Sequence, residues 1–285
     1  MSDPRPDVTY PVASTGFDVV EKPLGSWEKL YNNAAARRVV LLALLAAIWE
    51  LYARWLNNPL LFPTFSDTIK ALFTSIASGE IPGAAAYSVG ILLKGYAAGL
   101  ILAGLLTAFA SASRIGGDLL ETLTAMFNPL PSIALLPLAL IWFGLGNGSI
   151  IFVLIHAVMW SVALNMHAGF RAISPTLRMV GLNYGLSKPG YLIRILLPAA
   201  FPSILTGLKI GWAFAWRTLI AAELVFGVSS GSGGIGWYIF EQKNQLLIPN
   251  VFAGLLTVIL FGLFVENLIF KSIESRTVRR WGMQT

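Results

Sequence analysis

Seven ionisable side chains lie within the long apolar stretches of this sequence, and they are its first candidates for chemistry. They are Lys94, Glu121, His156, His167, Lys209, Arg217 and Glu223. Such groups are costly at membrane depth and usually mark a site or an ion pair. Arg217, which follows Trp212 and Trp216, is the sharpest candidate. It predicts either a cation that meets a negatively charged ligand or a structural pair with Glu223 or Glu121.

The other chemical motifs argue against an enzyme. His156 and His167 are separated by about 16 Å along a helix, so they do not share one metal ion. Gly231, Gly233 and Gly236 match G-x-G-x-x-G, but the strand-turn-helix unit that a dinucleotide site requires is missing. The sequence has no Walker A loop, no nucleophile elbow and no H-E-x-x-H motif. It therefore predicts no catalytic site, no metal site and no cofactor in this chain.

The composition is that of a membrane protein. Hydrophobic residues make up 56% of the chain and charged residues 12%, whereas soluble domains contain roughly 25% charged residues. Crossing about 30 Å of hydrocarbon takes about 20 apolar residues in a helix. The segments that meet this length are residues 39–55, 86–110, 119–143, 149–170, 195–225 and 251–270. The predicted fold class is therefore an all-α polytopic membrane protein with six transmembrane helices.

The first 38 residues differ from the rest of the chain. Residues 1–26 are rich in proline, which predicts a poorly ordered tail. Trp27, Leu30 and Tyr31 then recur at helical spacing, which fits a short helix at the membrane interface and equally an ordinary amphipathic lead-in to the first span. We therefore predict a tail and interfacial helix in residues 1–38 and a transmembrane domain in residues 39–285.

The basic residues predict the orientation of the chain. If the N-terminus is cytoplasmic, only Arg54, Lys70 and Lys243 among the loop cations lie on the outer side. Cytoplasmic loops of membrane proteins carry the excess of Lys and Arg. Both termini are therefore predicted to be cytoplasmic, as is the loop between the fourth and fifth spans.

Prolines and glycines predict which spans pack closely. The third and fifth spans contain proline, which removes a backbone donor and bends a helix, so we expect both inside the bundle. Gly95, Gly99 and Gly104 predict a close approach of the second span to a neighbour.

The loop between the fourth and fifth spans has the most informative spacing in the chain. Ser174 and Pro175 are a cap and a first-turn proline, and they predict a short helix that runs to about Leu186. Gly185 would end this helix in a left-handed conformation. Nine residues separate Gly185 from the run Ile195, Leu196, Leu197 and Pro198.

This spacing resembles the cytoplasmic coupling loop of ABC-importer membrane subunits, whose pattern is E-A-A-x3-G-x9-I-x-L-P. The glycine and the I-x-L-P end fall in register, whereas Met179, Val180 and Gly181 stand where the family has Glu-Ala-Ala. The run N-P-L-P-S-I-A-L-L-P-L-A-L-I-W-F-G-L-G over residues 128–146 resembles the permease subunits of nitrate/sulfonate/taurine-type importers, as does F-P-T-F-S-D-T-I-K after the first span. The resemblance extends from about residue 61 to residue 281.

The resemblance implies a type I importer fold in the inner membrane. It implies two permease copies, identical or different, two cytoplasmic ATPase subunits that bind ATP and Mg, and an external substrate-binding protein. The loop helix, near residues 174–187, would rest in a groove of the ATPase and couple its closure to transport. The residues predicted to make this contact are Pro175, Leu177, Arg178, Met179, Tyr184, Gly185, Leu186, Ser187 and Lys188.

The substrate class follows from the intramembrane cations. Lys94, Lys209 and Arg217 favour an anion of the sulfonate, nitrate or aromatic carboxylate type, although Glu121 and Glu223 could neutralise them. The residues predicted to line the translocation path are Arg217, Trp216, Glu223, His156 and Asn165. An ion-coupled secondary transporter is the alternative, but such proteins often show paired repeats with broken helices, and the Gly185 pattern occurs once. A structural membrane scaffold would leave the spacing of the loop unexplained.

Overall fold

The computed structural model describes residues 31–226 and 233–282. Within these residues the chain is all-helical and contains no β-strand. The helices are α1 (Ala34–Leu56), α2 (Phe65–Ala77), α3 (Glu80–Ala112), α4 (Arg114–Phe127), α5 (Leu136–Phe143), α6 (Asn147–Arg171), α7 (Pro175–Asn183), α8 (Lys188–Tyr191), α9 (Leu197–Phe226), α10 (Ile235–Asn244), α11 (Ile248–Phe264) and α12 (Lys271–Arg276). A tight turn at Ser132–Leu135 precedes α5, and wider helical turns lie at Leu192–Leu196 and Val265–Phe270.

Several helical segments are long and apolar enough to cross a membrane. These are Ala34–Leu56, Glu80–Ala112, Asn147–Arg171, Leu192–Val225 and Ile248–Arg276. A sixth crossing results if α4 and the helical segment after it form one bent span. The predicted all-α polytopic membrane fold is therefore confirmed, and each predicted segment except the third coincides with one of these spans.

The chain divides into two compact units, Met1–Trp49 and Glu50–Thr285. In the first unit, the side-chain oxygen of Asn33 accepts a hydrogen bond from the backbone N–H of Ala35 at 2.9 Å and so caps the start of α1. The predicted interfacial residues Trp27 and Leu30 lie outside the described residues. The second unit contains all the features discussed below.

The predicted third span is broken rather than continuous. α4 ends at Phe127, and the helical segment Ser132–Phe143 leaves it at an angle of 87°. Pro129 and Pro131 lie in the break, because neither can donate a backbone hydrogen bond to a helix. Pro137 lies in the first turn of α5, where no donor is needed. The bend brings residues 127–133 to α6 and α9.

The most buried span is α6, which lacks proline. The buried share of its most apolar window is 56%, against 17% for Leu192–Val225. α3 and α9 both pack along α6. The proline-bearing fifth span packs through α9 on α3, α6 and α10 and leaves one stripe of α9 exposed, and its position inside the bundle stays a prediction.

Glycine allows α3 to approach α6 closely. A Cβ added at Gly95 would lie 2.6 Å from the Cβ of Leu154, and one added at Gly99 would lie 2.7 Å from the Cβ of Val158. Both separations are too short for a side chain, so the two helices meet through the backbone of α3. Gly104, which we expected to serve the same purpose, has no atom within 4 Å of the corresponding position and does not contact a neighbour there.

Two glycine substitutions on α3 should therefore have opposite effects. Gly99→Ala should destabilise the chain by about 1–3 kcal/mol, because the new methyl group overpacks against Val158. Gly104→Ala should be neutral or stabilise it by up to about 1 kcal/mol, because alanine favours a helix and meets open space. The midpoint of thermal unfolding in detergent measures both. Equal shifts for the two variants would contradict the close contact at Gly99.

Candidate functional site

The loop assigned to coupling forms a helix, α7, with a defined start. Ser174 precedes Pro175, and its side-chain hydroxyl oxygen accepts a hydrogen bond from the N–H of Leu177 at 3.4 Å. This is the predicted cap followed by a first-turn proline. α7 ends at Asn183, before the predicted end at residue 186, and the short α8 follows after a turn. We call α7 the docking helix.

Gly185 makes the turn that ends the docking helix. Its φ is +60°, which is the left-handed conformation predicted for it and one that side chains disfavour. The N–H of Leu186 donates to the carbonyl oxygen of Gly181 at 3.1 Å, as in the Schellman type of helix end. No atom lies within 4 Å of a Cβ added at Gly185, so the conformation, and not a lack of space, calls for glycine there.

The docking helix has an exposed apolar face. The exposed fractions are 81% for Tyr184, 62% for Met179, 40% for Leu177 and 37% for Val180. Leu177, Val180 and Tyr184 follow one another at spacings of three and four residues, which places them on one side of the helix. We call these three residues the docking face; Met179, two positions after Leu177, is exposed on the other side of the helix. Large apolar side chains that are exposed together mark an interaction surface.

The docking helix also packs on the segment that leads into α9, through Gly181, which follows Leu177 by four residues. Gly181 is buried there, and a Cβ added to it would lie 2.5 Å from the Tyr191 ring and 3.2 Å from the Ile195 side chain. Tyr191 thus fills the space that the family's alanine would need at position 181. The departure from the Glu-Ala-Ala pattern therefore has a local packing reason at this position.

The remaining residues predicted to contact the ATPase surround this helix. Pro175 and Ser187 are exposed, and Leu186 is half-buried. The side chains of Arg178 and Lys188 lie outside the described part of the chain. Their predicted contacts, like those of the docking face, stay predictions.

Most of the ionisable residues in the apolar stretches have partners within the chain. Glu121 pairs with Arg171, and Lys209 pairs with Glu274. Glu223 accepts hydrogen bonds from Ser88. Lys209 is therefore neutralised, and neither carboxylate suggested by the sequence as a partner of Arg217 is paired with it.

Arg217 lines an open cavity of about 460 Å³ between α6, α9 and the bend after α4. Its Nε donates to the carbonyl oxygen of Ala213 at 3.0 Å, and its guanidinium carbon lies 5.3 Å from the centre of the Phe214 ring. Among the described residues, no acceptor bonds its terminal nitrogens Nη1 and Nη2. This arrangement leaves a cation with free donors beside an aromatic ring, which suits a negatively charged ligand.

Aromatic side chains form another wall of the same cavity. The rings of Phe127 and Trp160 are stacked, with centres 5.3 Å apart and an angle of 11° between their planes. His156 lies edge-on to both rings, and its Nδ1 is 3.1 Å from the hydroxyl of Ser132. His156 Nε2 and Trp160 Nε1 are buried and have no hydrogen-bond partner within the described chain. Buried polar atoms of this kind usually meet a water molecule or a ligand.

Three of the residues predicted for the path lie away from this cavity. Trp216 is buried against α11, where its indole N–H donates to a backbone carbonyl at 3.2 Å. Glu223 is buried against α3 and α10, and Asn165 packs beside Gly207 of α9. The structure thus brings Arg217 and His156 together but places Trp216, Glu223 and Asn165 elsewhere.

Of the three glycines of the G-x-G-x-x-G match, Gly231 lies outside the described residues, and Gly236 helps to hold Glu223. The carboxylate accepts hydrogen bonds from the Ser88 hydroxyl at 2.8 Å and from the Gly236 N–H at 2.9 Å. The Ser88 oxygen in turn accepts from the N–H of Ile235 at 2.9 Å. A Cβ added at Gly234 would lie 2.0 Å from the Glu223 carboxylate. The hydrogen bonds of Glu223 and Ser88 therefore join α9, α3 and the start of α10.

A second cavity, of about 930 Å³, lies beside the docking helix. Its walls carry charges of both signs, including Arg114, Asp118 and the pair of Arg171 with Glu121. His167 lines this cavity, so the two histidines of α6 belong to different cavities. Within the described residues, no cluster of His, Asp and Glu could hold a metal ion.

Comparison with known families decides between the candidate classes of protein. A sequence profile of the binding-protein-dependent transport system inner membrane component matches residues 95–279. The chain belongs to this family. The matched region includes both cavities, the docking helix and most of α3. This permease is therefore a multi-pass inner membrane transport protein, and its family favours the importer over an ion-coupled secondary transporter.

Curated relatives of this permease are themselves transport permeases. The chain is 30% identical to an Escherichia coli protein provisionally named an aliphatic sulfonates transport permease, over 83% of this chain and 88% of that one. It is 27% identical to the nitrate import permease of Synechocystis, over 84% of this chain and 88% of that one. It is 29% identical to the taurine transport system permease of Escherichia coli, over 79% of this chain and 82% of that one.

The sequence analysis missed several residues of the Arg217 cavity. Trp160 follows His156 by four residues on α6, and Phe214 precedes Arg217 by three residues on α9. These helical spacings would have identified both residues as neighbours of the predicted ones. Phe127 could not have been found in this way, because the bend after α4 brings it to the site.

Proposed function

We propose that this permease forms the membrane pathway of an ATP-driven importer for a small anion, which an external binding protein delivers. The docking helix carries the proposal, because it exposes a compact apolar face on the loop whose spacing resembles a coupling loop. The anion is supported by the guanidinium of Arg217 in its cavity, whose terminal nitrogens have no acceptor among the described residues. It is also supported by the relatives, which are named for sulfonates, nitrate and taurine.

The assembly follows from the family resemblance. Two permeases would pair in the membrane with both termini in the cytoplasm, and two ATPase subunits would bind ATP and Mg. This chain contributes no phosphate-binding loop. The docking helix packs through Gly181 on Tyr191 and Ile195, which lead into α9. Movement of the docking helix would therefore pass to the helix that carries Arg217.

The charge of the loop predicts the kind of surface that receives it. The sequence has no Asp or Glu between Glu121 and Glu223. The same region contains Arg171, Arg178, Lys188 and Arg194. Where the family pattern has an acidic residue, this chain has the exposed Met179. We therefore expect the ATPase groove to be apolar and to have acidic residues at its rim. A basic residue to pair with the acidic residue of the family pattern is not expected there.

Loss of the Tyr184 ring should weaken binding of the ATPase. Tyr184→Ala should raise the dissociation constant of the ATPase subunit at least about tenfold, because burial of an aromatic side chain contributes about 2–3 kcal/mol. Tyr184→Phe should bind almost normally, since it keeps the ring. Binding is measured with the detergent-solubilised permease and the ATPase encoded beside it.

A matched control is Trp55→Ala, which removes an exposed aromatic ring outside the loop. This variant should bind the ATPase like the wild type. Normal ATPase binding by Tyr184→Ala would contradict the docking face. ATP hydrolysis by the isolated permease would contradict the proposed division of labour between the subunits.

A further inference from the structure

The cavity around Arg217 has the size of an organic ligand site. Its volume is about 460 Å³, whereas a water molecule occupies about 30 Å³ of the liquid. Pockets for organic molecules range from about 300 to 1,000 Å³. An inorganic ion such as nitrate would leave most of this volume to water. The relatives named for nitrate and for aliphatic sulfonates leave both sizes of substrate open.

The charges of the cavity are confined to one side. Among the described residues that line the cavity, Arg217 supplies the only formal charge and none is a carboxylate. Its free Nη1 and Nη2 form a planar fork that matches two oxygens of a carboxylate or a sulfonate. The contact of its guanidinium with the Phe214 ring limits the directions in which this fork can turn.

The rest of the wall is suited to an apolar group. Phe127 and Trp160 stack on each other, and prolines and aliphatic side chains of the bend after α4 complete this side. An inorganic oxyanion placed here would lose hydration on the sides that face these rings and gain no donors in return. An aromatic or aliphatic body would instead bury apolar surface and stack on the rings.

We propose that the Arg217 cavity binds an organic anion, with a carboxylate or sulfonate on Arg217 and an apolar body against Phe127 and Trp160. The cavity thereby discriminates against small inorganic oxyanions such as nitrate and bicarbonate. This inference rests on the proposed transport function and assigns selectivity to the permease as well as to the binding protein.

Calorimetric titration of the purified full-length permease tests the proposal without any partner subunit. The probes are benzenesulfonate, its neutral analogue benzenesulfonamide, methanesulfonate, nitrate and bicarbonate. Benzenesulfonate should bind at least about tenfold more tightly than benzenesulfonamide, the difference expected for a charge-assisted hydrogen bond. Nitrate and bicarbonate should not displace benzenesulfonate when they are present at ten times its concentration. At that ratio, even a competitor that binds about tenfold more weakly would displace benzenesulfonate.

Variants of the cavity locate the binding site. Arg217→Gln should weaken benzenesulfonate binding about tenfold or more, and Arg217→Lys should do so less, because a point charge remains. Phe127→Ala should weaken benzenesulfonate more than methanesulfonate, which lacks the ring. Arg114→Gln is the matched control, since it removes a cation from the second cavity, and it should bind normally.

Several results would overturn the proposal. They are displacement by nitrate at equal concentration, an effect of Arg114→Gln equal to that of Arg217→Gln, and no binding of benzenesulfonate up to about 10 mM. If Arg217→Gln fails to fold, two other results still test the proposal. They are the difference in affinity between benzenesulfonate and benzenesulfonamide, and the affinity of the Arg217→Lys variant for benzenesulfonate. A permease that binds the ATPase but not benzenesulfonate refutes this inference alone. One that binds benzenesulfonate but no ATPase refutes the proposed function alone.

Discussion

Replacing Glu223 by alanine should destabilise this permease by about 3 kcal/mol or more, the largest stability change that we expect from a single side chain. Glu223 is 3% exposed, and its carboxylate is held by the Ser88 hydroxyl and the Gly236 N–H. Its removal leaves two buried donors without an acceptor, and each costs about 1–3 kcal/mol. It also leaves a void between α9, α3 and the start of α10.

The measurement is the midpoint of denaturant-induced unfolding in mixed micelles, followed by tryptophan fluorescence. Glu223→Gln should lose less stability, because its side-chain oxygen still accepts a hydrogen bond from Gly236. Glu241→Ala removes an exposed carboxylate from α10 and should stay within about 0.5 kcal/mol of the wild type. Equal midpoints for Glu223→Ala and Glu241→Ala would show that the Glu223 cluster does not hold these elements together.

The sequence was most informative where local geometry decides the structure. Ser174 and Pro175 begin a helix through contacts within a few residues, and Gly185 ends it through its own φ. Such features depend on the chain next to them, so residue types at fixed spacing predict them. The spans were predictable for a related reason, because their length and apolarity are set by the membrane.

The Arg217 cavity was only partly predictable. Trp216 and Arg217 are consecutive, so they point about 100° apart on α9. Arg217 and Glu223 are six residues apart, so they point about 120° apart. Helical spacing therefore turns both residues away from Arg217 but does not exclude them from its cavity, since Thr218, which also follows the 100° spacing, lines it. The structure agrees, since Trp216 packs against α11 and Glu223 against α3 and α10.

What the sequence could not supply is the relation between distant segments. The 87° bend after α4 brings Phe127 to Trp160, which lies on another helix. The pairing of Lys209 with Glu274 likewise joins residues far apart in the chain. It neutralises one of the cations from which the sequence analysis predicted an anionic substrate. Prolines predict that a helix breaks, but neither the direction of the break nor its neighbours follows from their spacing.

Replacing Gly185 by valine should uncouple this permease from its ATPase while leaving membrane insertion intact. Gly185 has a φ of +60°, and a side-chain-bearing residue pays about 1–2 kcal/mol in this conformation, with more for a β-branched one. Relief of that strain would unwind the turn that the Leu186 N–H closes on Gly181 and would displace the neighbouring Tyr184. ATP hydrolysis by the reconstituted complex should therefore lose its dependence on the permease.

Gly185→Asn is the matched control, because asparagine tolerates the left-handed conformation and should retain most of the coupling. Since no atom lies within 4 Å of the added Cβ, steric crowding would not explain a difference between the two variants. Normal coupling in Gly185→Val would mean that the turn at Gly185 does not position the docking face.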